Sequence, residues 1–349
     1  NRCPVHRQKP EVVDEENYFF RLSAYQGELQ NLIDSGSLLI LPKSRRNEAL
    51  GFIKQELQDF SVSRISERSD GWGVPVPDDA SQVLYVWFDA LTNYITGLGY
   101  GNDTAEYTRY WLRNARKIHV IGKDILRFHT IYWPALLLSS GTPLPSAVLV
   151  HGFLTVNGEK ISKSLGDAVD PFPLIEQYGV DALRYYLLRA IPSGTDGDFS
   201  ETRLREVYTA DLANGLGNLV RRVAVLCEKA GVVVEDDSIV SAQTQLQDGD
   251  PLILKEVAEA IEAFRFQDAL AAIWNRIRIL NQRIDAERPW QLLKEGNTEP
   301  LGPLLASWVR ELHLIAINLS PFLPDTARRI TTVFSGDPDR PESPLFPRL

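Results

Sequence analysis

The chain reads AVLVHGFLTV over residues 147–156 and GEKISKSLG over residues 158–166. The first stretch is apolar and rich in β-branched residues, which predicts a buried strand followed by a turn. The second stretch is rich in Gly and Ser and carries Lys160 and Lys163 three residues apart. Such a loop offers backbone donors and positive charge, which suit a polyphosphate whose charge grows during reaction. A solvated surface loop with two lysines is the alternative interpretation.

Two further apolar stretches predict a parallel sheet around this strand. Residues 83–87 and 118–122 have the composition of buried strands, and a helical pattern follows each of them. Strands that alternate with helices are typical of a parallel sheet with crossover helices. Ligands of such sheets bind outside the carboxyl ends of the strands, where Trp87, Gly122 and Asp124 lie.

From about residue 203 onward the sequence pattern becomes helical. Apolar residues recur at helical spacing over residues 204–226, 257–284 and 304–315. Residues 236–250 are polar and lack periodicity, which predicts a loop within this half of the chain. The fold class predicted from the whole sequence is therefore α/β plus all-α, a parallel-sheet domain followed by a helical bundle.

Composition narrows the class of protein. The chain has 349 residues, of which 44% are hydrophobic, and its 37 Lys and Arg against 46 Asp and Glu give a net charge of −9. This balance argues against indiscriminate binding of nucleic acid but allows a local basic groove. Two cysteines and the lack of any apolar run of membrane length predict a cytoplasmic protein. The sequence contains no Met, so we expect it to be a piece of a longer polypeptide.

Several motifs resemble those of one family, the methionyl-tRNA synthetases. Residues 160–164 are similar to the Lys-Met-Ser-Lys-Ser signature of class I aminoacyl-tRNA synthetases, with Ile161 in the place of Met. Other matching segments occur in the family's order at residues 15–22, 61–64, 71–77, 85–94, 121–125, 129–135, 151–152, 211–222 and 288–290. Independent matches in one order are far more specific than any one of them.

The resemblance implies a domain order. Residues 1–62 would form the end of a connective-peptide and zinc-knuckle region, and residues 63–165 the second half of a Rossmann-like catalytic domain. Residues 166–202 would be a linker after the lysine loop, and residues 203–349 the helical anticodon-binding domain. None of the five histidines fits the His-x-Gly-His signature of class I synthetases. We therefore expect a missing N-terminal segment of the same protein to carry it.

The resemblance also implies roles for individual positions. Lys160 and Lys163 would be catalytic residues that stabilise the phosphates of ATP, which is used with Mg²⁺. The methionine and adenylate site would comprise Arg64, Trp87, Ala90, Leu91, Tyr94, Gly122, Asp124, Ile125, His129 and Trp133. Spacing alone gives a different interpretation of Ile125, His129 and Trp133, because a core stripe with one hydrogen-bonded histidine has the same i, i+4, i+8 pattern.

A second set of positions would bind the anticodon of tRNA(Met). Asn214, Asn218 and Arg222 are spaced by four along one predicted helix, and Pro289 and Trp290 belong to the next matching segment. A tryptophan can stack on an unpaired base, and Asn and Arg can hydrogen-bond base edges. By spacing alone, a solvated helix face and a packed core tryptophan are the alternatives.

The cysteines allow one metal hypothesis. Cys3 and His6 have the spacing of half a structural zinc site, which takes about four ligands. The pair alone is expected to bind no metal, whereas the family often supplies two further cysteines upstream, so Zn²⁺ is a candidate for the intact protein. Cys227 is interpreted as a buried apolar residue.

The leading functional hypothesis is part of an enzyme, a methionine–tRNA ligase that forms methionyl-adenylate and charges tRNA(Met). We expect no appreciable ATP–pyrophosphate exchange by the 349-residue chain alone. The alternative is a non-catalytic tRNA-binding module that retains the anticodon-binding bundle, and the upstream coding sequence would distinguish the two. A synthetase for another aliphatic amino acid is a weaker hypothesis, because its relatives carry a large editing insertion for which residues 63–165 leave no room.

Overall fold

The computed structural model of the chain describes residues 14–69, 71–156, 158–160, 169–232, 252–296, 299–334 and 344–349. The chain divides between His151 and Gly152 into two compact units. Across the described ranges we find no helix with the length and apolar character needed to span a membrane.

The first unit combines short strands with helices. Its strands are β1 (Phe19–Phe20), β2 (Leu39–Leu41), β3 (Phe60–Ser61), β4 (Ser63–Ile65), β5 (Pro75–Val76), β6 (Asp79–Leu84), β7 (Ile118–Gly122) and β8 (Ala147–His151). Its α-helices are α1 (Gln26–Asp34), α2 (Lys43–Ile53), α3 (Val86–Thr96), α4 (Ala105–Tyr107) and α5 (Trp133–Ser139). Short 3₁₀ segments cover Leu22–Tyr25, Ser66–Ser69 and Lys123–Ile125, and π-helical segments cover Thr108–Leu112 and Phe128–Tyr132.

A parallel sheet in the order β2-β8-β7 positions one end of the candidate site. The predicted strands at residues 118–122 and 147–151 are confirmed. The central strand β8 buries Val148 and Val150 completely, as expected of a parallel strand covered on both faces. The third strand, β2, lies within residues 1–62, which the resemblance assigned to the connective-peptide and zinc-knuckle region. A domain boundary at residue 62 would therefore divide this sheet.

The apolar stretch at residues 83–87 does not form a parallel strand, and that prediction is wrong. Strand β6 ends at Leu84 and pairs antiparallel with β4 and β5, and α3 begins at Val86. The amide of Phe88 donates to the carbonyl of Tyr85, which starts the helix. A short apolar run cannot distinguish a strand from a buried helix start by periodicity alone.

The second unit contains one small sheet and otherwise helices. Its strands are β9 (Leu154–Val156), β10 (Glu159–Lys160) and β11 (Gly197–Asp198), in the order β10-β9-β11. Its helices are α6 (Pro171–Tyr178), α7 (Val180–Arg189), α8 (Glu201–Val207), α9 (Asn218–Ala230), α10 (Lys255–Glu262), α11 (Phe266–Glu287), α12 (Pro289–Lys294), α13 (Leu301–Leu319) and α14 (Pro324–Phe334), with a π-helical segment over Tyr208–Gly217.

Helices α6 and α7 belong to the core of this unit rather than to a linker, which corrects the interpretation of residues 166–202. Tyr185 and Tyr186 are almost fully buried, and the Tyr185 ring stacks on Trp274 with 4.3 Å between centroids. Arg184 Nε donates to the carbonyl of Phe322 at 2.7 Å, which connects α7 to the segment between α13 and α14. The core of the unit therefore begins well before residue 203.

Two of the long helical patterns predicted from the sequence do not form single regular α-helices. The pattern over residues 257–284 forms two helices, because Phe264 adopts a left-handed backbone conformation with φ of 56°. The pattern over residues 204–226 runs from α8 through the π-helical segment into α9. The predicted loop at residues 236–250 lies outside the described residues. Cys227 is buried, as predicted, and burial raises the pKa of its thiol to about 11.

Replacing Gly152 with alanine is expected to destabilise the second unit by about 1–3 kcal/mol. A Cβ at this position would overlap the backbone of Thr195 and Asp196, which cannot move as a flexible side chain could. Urea unfolding of the variant measures the loss. Gly302→Ala in α13 is the matched control, because a Cβ there meets no atom within 4 Å. Equal stability of the two variants would contradict the close approach of Gly152 to the backbone of Thr195 and Asp196.

Candidate functional site

The first unit contains an apolar cavity of about 240 Å³. Its wall is formed by β3, β4, the start of α3 and the π-helical segment, through Phe60, Ser61, Arg64, Tyr85, Trp87, Phe88, Leu91, Phe128 and Tyr132. The rings of Trp87 and Phe128 lie 5.4 Å apart, and Trp87 is half-exposed. Arg64 contributes the positive charge at the rim. Such a cavity suits a ligand with an apolar side chain and a carboxylate.

Arg64 is held in place by several contacts. Its Nη1 donates to Ser61 Oγ at 2.7 Å and to the Ser63 carbonyl at 2.6 Å. Its guanidinium carbon lies 4.3 Å from the centre of the Tyr85 ring. A guanidinium has five donors, so these two bonds leave others for a ligand.

A cluster of aromatic and imidazole rings lies next to residues of this cavity. Its rings come from α3, β7, the π-helical segment Phe128–Tyr132 and α5. Tyr94 Oη lies 2.7 Å from His129 Nε2, and the Tyr94 ring lies 4.3 Å from the ring of His119. The indole nitrogen of Trp133 donates to His119 Nε2 at 3.2 Å. Trp111 also packs on Trp133, with 6.2 Å between ring centroids. The structure therefore brings three predicted site residues, Tyr94, His129 and Trp133, together with His119.

The three-residue stripe over Ile125, His129 and Trp133 does not lie on one regular α-helix. A 3₁₀ segment ends at Ile125, the π-helical segment contains His129, and α5 begins at Trp133. His129 Nδ1 lies 3.0 Å from the carbonyl oxygen of Ile125, so it donates to this backbone group. Nε2 of His129 is then the acceptor for the Tyr94 hydroxyl.

Both imidazoles of the cluster are neutral at pH 7. Burial, and to a smaller extent the nearby His129, lower the pKa of His119 to about 4. Burial also lowers the pKa of His129, against the opposing effect of its bond to Ile125. Burial raises the pKa of Tyr94, so its hydroxyl stays protonated. The cluster therefore forms an uncharged wall with fixed hydrogen-bond directions.

The neutral state of His119 predicts a pH-dependent stability. An unfolded histidine takes up its proton near pH 6.5, whereas folded His119 stays neutral down to about pH 4. The unfolded state therefore binds more protons in this window, and we expect a loss of about 3 kcal/mol as the pH falls from 6.5 to 4. His129 adds to the loss in the same direction.

Urea unfolding of the protein at pH 7, 6, 5 and 4 measures this dependence. His119→Asn is the informative variant, because it removes the titrating group and retains an acceptor for Trp133. Its stability should fall less steeply with decreasing pH than that of the wild type. If the free energy of unfolding fell equally steeply with pH in the two proteins, His119 would not be the group that causes the pH dependence.

The remaining predicted residues of this site lie at several places. Gly122 ends β7, and Asp124 is exposed two residues later, so both lie at the carboxyl end of a parallel strand, as predicted. Ala90 is exposed on α3 and does not line the cavity. Lys160 belongs to the backbone of β10, but its side chain and all of Lys163 lie outside the described residues.

The zinc hypothesis falls on Cys3 and His6, which also lie outside the described residues. Among the residues that the structure does describe, no group of three or more His, Cys, Asp or Glu side chains could hold a metal ion.

The second unit carries a groove of about 770 Å³ between α9 and α12. It is lined by Asn218, Arg221, Arg222, Val225, Leu226, Lys229, Trp290, Leu293 and Lys294. Trp290 is 45% exposed, so its ring offers a face to a ligand. Arg222 Nη1 donates to Asp285 at 2.9 Å, which fixes its direction. The described lining residues include four cations and no acid, which makes the groove a local basic surface on an acidic chain.

The groove contains three of the five residues predicted for this site, Asn218, Arg222 and Trp290. Asn214 is exposed but does not line it, because it lies in the π-helical segment, whose wider turn changes the predicted spacing. Pro289 is buried as the first residue of α12 and sets the start of the helix that presents Trp290.

Sequence reasoning missed two lysines of the groove. Lys229 lies seven residues after Arg222 on α9, and Lys294 lies four residues after Trp290 on α12. Both spacings return to the same helix face, so extending the stripe along each helix would have found them. In the first unit, sequence reasoning missed His119, because a histidine among apolar strand residues gives no sign of burial, and the structure buries His119 and exposes its apolar neighbour Val120.

Comparison with known proteins gives a matching family model and curated relatives of similar sequence. Residues 1–224 match the family model described as tRNA synthetases class I (M). A methionine–tRNA ligase of Nostoc sp. is 44% identical over 95% of this chain and 63% of its own length. That of Synechocystis sp. is 44% identical over 99% of this chain and 66% of its own length. The chain thus spans about two thirds of the length of these curated relatives.

Solved structures give the same result. The methionyl-tRNA synthetase of Mycobacterium tuberculosis in complex with methionyl-adenylate is 36% identical and has a TM-score of 0.81, over 96% of this chain and 69% of that one. Its apo form has a TM-score of 0.79 at 34% identity. On the family match and these similarities, the chain belongs to the methionyl-tRNA synthetase family of class I tRNA synthetases.

Proposed function

We propose that the complete protein containing this chain is a methionine–tRNA ligase, which activates methionine with ATP and Mg²⁺ and transfers it to tRNA(Met). The observation that carries the proposal is the apolar cavity with Arg64 at its rim, next to the neutral cluster of Tyr94, His119, His129 and Trp133. The names of the relatives support the choice of amino acid.

The cavity suits the two ends of methionine. The Arg64 guanidinium would hold the carboxylate, since Arg forms strong charge-assisted bonds to carboxylates. The side chain would pack on Trp87, Leu91 and Phe128. A thioether gains about 0.3–1.5 kcal/mol from contact with aromatic rings, which favours it over a branched aliphatic side chain. The neutral wall of imidazoles adds no charge that would oppose burial of an uncharged side chain.

Activation joins the amino acid to the nucleotide. Arg64 would orient the carboxylate for attack on the α-phosphate of ATP, and pyrophosphate would leave. Gly122 and Asp124, at the carboxyl end of β7, would lie beside the adenylate. Lys160 and Lys163 would neutralise the charge on the departing pyrophosphate. Mg²⁺ binds through substrate phosphates in many such sites, so we propose that it enters with ATP.

The groove of the second unit would bind the anticodon loop. Trp290 would stack on an unpaired base, and Asn218 and Arg222 would hydrogen-bond base edges. Lys229 and Lys294 would contact phosphates of the same loop. We therefore propose that the helices after residue 203 form the anticodon-binding domain and that the first unit is the second half of a Rossmann-like catalytic domain. Cys3 and His6 would supply two ligands of a Zn²⁺ site.

The test uses the complete protein that carries this chain. Methionine should support ATP–pyrophosphate exchange and charging of tRNA(Met), whereas leucine, isoleucine and valine should not replace it. Exchange with another aliphatic amino acid at equal efficiency would contradict the proposed substrate. Binding of tRNA without any exchange would favour the non-catalytic tRNA-binding module.

A further inference from the structure

A second and larger cavity of the first unit shares part of its wall with the candidate methionine cavity. Its volume is about 530 Å³, and Arg64 and Tyr85 line both cavities. The rest of its wall comes from the turn at residues 71–74, the end of β6 and the first turn of α3. A volume of this size is in the range of small-molecule sites.

Trp72 is the most unusual residue of this wall. It is 74% exposed, more than any other large apolar side chain among the described residues. It lies between Gly71 and Gly73, whose φ angles of +72° and +141° are unfavourable for other residues. A Cβ on Gly73 would come within 3.0 Å of Val83 Cβ. The turn therefore needs both glycines to place a tryptophan at this rim, although an exposed indole adds nothing to the core.

The polar groups of the cavity complement a nucleotide. Arg64 has donors left after its bonds to Ser61 and Ser63, and it can contact a phosphate. Asp89 is half-buried, and its carboxylate accepts no hydrogen bond from the described residues, so it can accept from a ribose hydroxyl or an exocyclic amine. The flat face of Trp72 can stack on a base, as in proteins that bind single-stranded nucleic acid.

We propose that this cavity binds the unpaired 3′-terminal nucleotide of the tRNA, with its base stacked on Trp72. The inference rests on the proposed function, because transfer needs the terminal ribose hydroxyl beside the activated carbonyl carbon. Arg64 borders both cavities, so a nucleotide in one lies next to an amino acid in the other. The adenylate's own nucleotide is placed elsewhere, at Gly122 and Asp124.

The transfer step defines what the cavity must accomplish. The ribose hydroxyl oxygen forms a bond to the carbonyl carbon, and the bond from that carbon to the phosphate oxygen breaks. AMP leaves with the electron pair, and the hydroxyl proton passes to its phosphate. Trp72 acts here as a binding residue that fixes the terminal nucleotide for this attack.

Trp72→Ala in the complete protein separates transfer from activation. We expect single-turnover transfer from preformed methionyl-adenylate to saturating tRNA(Met) to slow by about 10- to 100-fold, the loss typical of one stacked base. Methionine-dependent ATP–pyrophosphate exchange should stay within about twofold. Trp72→Phe should restore most of the transfer rate, because it retains a flat ring. Phe172→Ala is the matched control, since Phe172 is 70% exposed and lines neither cavity.

A shortened tRNA identifies the ligand directly. Trp72→Ala should weaken binding of intact tRNA(Met) but leave binding of tRNA lacking its terminal nucleotide unchanged. Unchanged transfer, or equal weakening with both tRNAs, would overturn the inference. A parallel fall of exchange and transfer would also overturn it, because the cavity would then bind ATP or the adenylate. Failure of the wild type to charge tRNA with methionine would instead refute the proposed function.

Discussion

Replacing Trp133 with alanine is expected to lower the free energy of unfolding by about 3–5 kcal/mol. The side chain is 1% exposed and packs against Trp111 and Tyr94. Its removal leaves a large cavity that the surrounding rings cannot fill. It also leaves His119 Nε2 without its donor in a buried position, which adds a desolvation cost.

Urea unfolding followed by circular dichroism measures this loss. Trp133→Phe separates its two causes, because phenylalanine restores most of the packing but has no N–H group. Trp87→Ala is the matched control, since Trp87 is 49% exposed and its loss should cost about 1 kcal/mol or less. A Trp133→Ala variant no less stable than the Trp87→Ala control would show that the cluster does not stabilise the first unit.

The same change should affect methionine binding through Tyr94. The Tyr94 ring packs against Trp133 and both imidazoles, with ring-centroid distances of 6.0 Å to Trp133, 4.3 Å to His119 and 5.5 Å to His129. Without Trp133 the hydroxyl of Tyr94 is no longer held in one direction toward His129. Methionine-dependent exchange should therefore show a raised KM for methionine even at temperatures where the variant is folded.

Sequence patterns predicted those parts of the fold that depend on long or strongly apolar segments. Strand β8 is apolar up to its last residue, and β7 is apolar apart from His119, so the sequence predicts both strands where the structure has them, at residues 147–151 and 118–122. Strand β2 was missed, because three residues are too few to show a period and its pairing with β8 spans about a hundred residues of sequence. Tertiary pairing, rather than local preference, decides such a strand.

In the candidate sites too, some residues could be predicted from the sequence and others could not. The motif resemblance identified Trp290 and Arg222, which the structure places on one groove. Periodicity at perfect α-helical spacing misplaced Asn214, because a π-helical segment interrupts the helix before Asn218. His119 belongs to no recognised motif, and its neighbours in β7 do not show which way its side chain faces. Its contact with Trp133 follows only from the packing of β7 against α5.

Replacing both Trp290 and Arg222 with alanine is expected to reduce kcat/KM for charging of tRNA(Met) by about 30- to 10⁴-fold. Loss of one stacked base removes about 1–3 kcal/mol, and loss of one hydrogen bond from arginine to a base edge removes a similar amount. Methionine-dependent ATP–pyrophosphate exchange should stay within about twofold, because the groove lies in the second unit and the proposed methionine cavity in the first. Parallel assays of charging and exchange in the complete protein measure the two effects.

Two further variants show whether the loss comes from the groove itself. Arg278→Ala is the matched control, because Arg278 is exposed on α11, contacts Gln282 and Asn275, and does not line the groove. It should charge tRNA(Met) like the wild type. Replacing Lys229 and Lys294 with alanine should instead weaken tRNA binding mainly at low salt, since phosphate contacts carry the salt dependence. Equal losses of exchange and charging in the Trp290 and Arg222 variant would mean that these residues act on the folded state rather than on RNA.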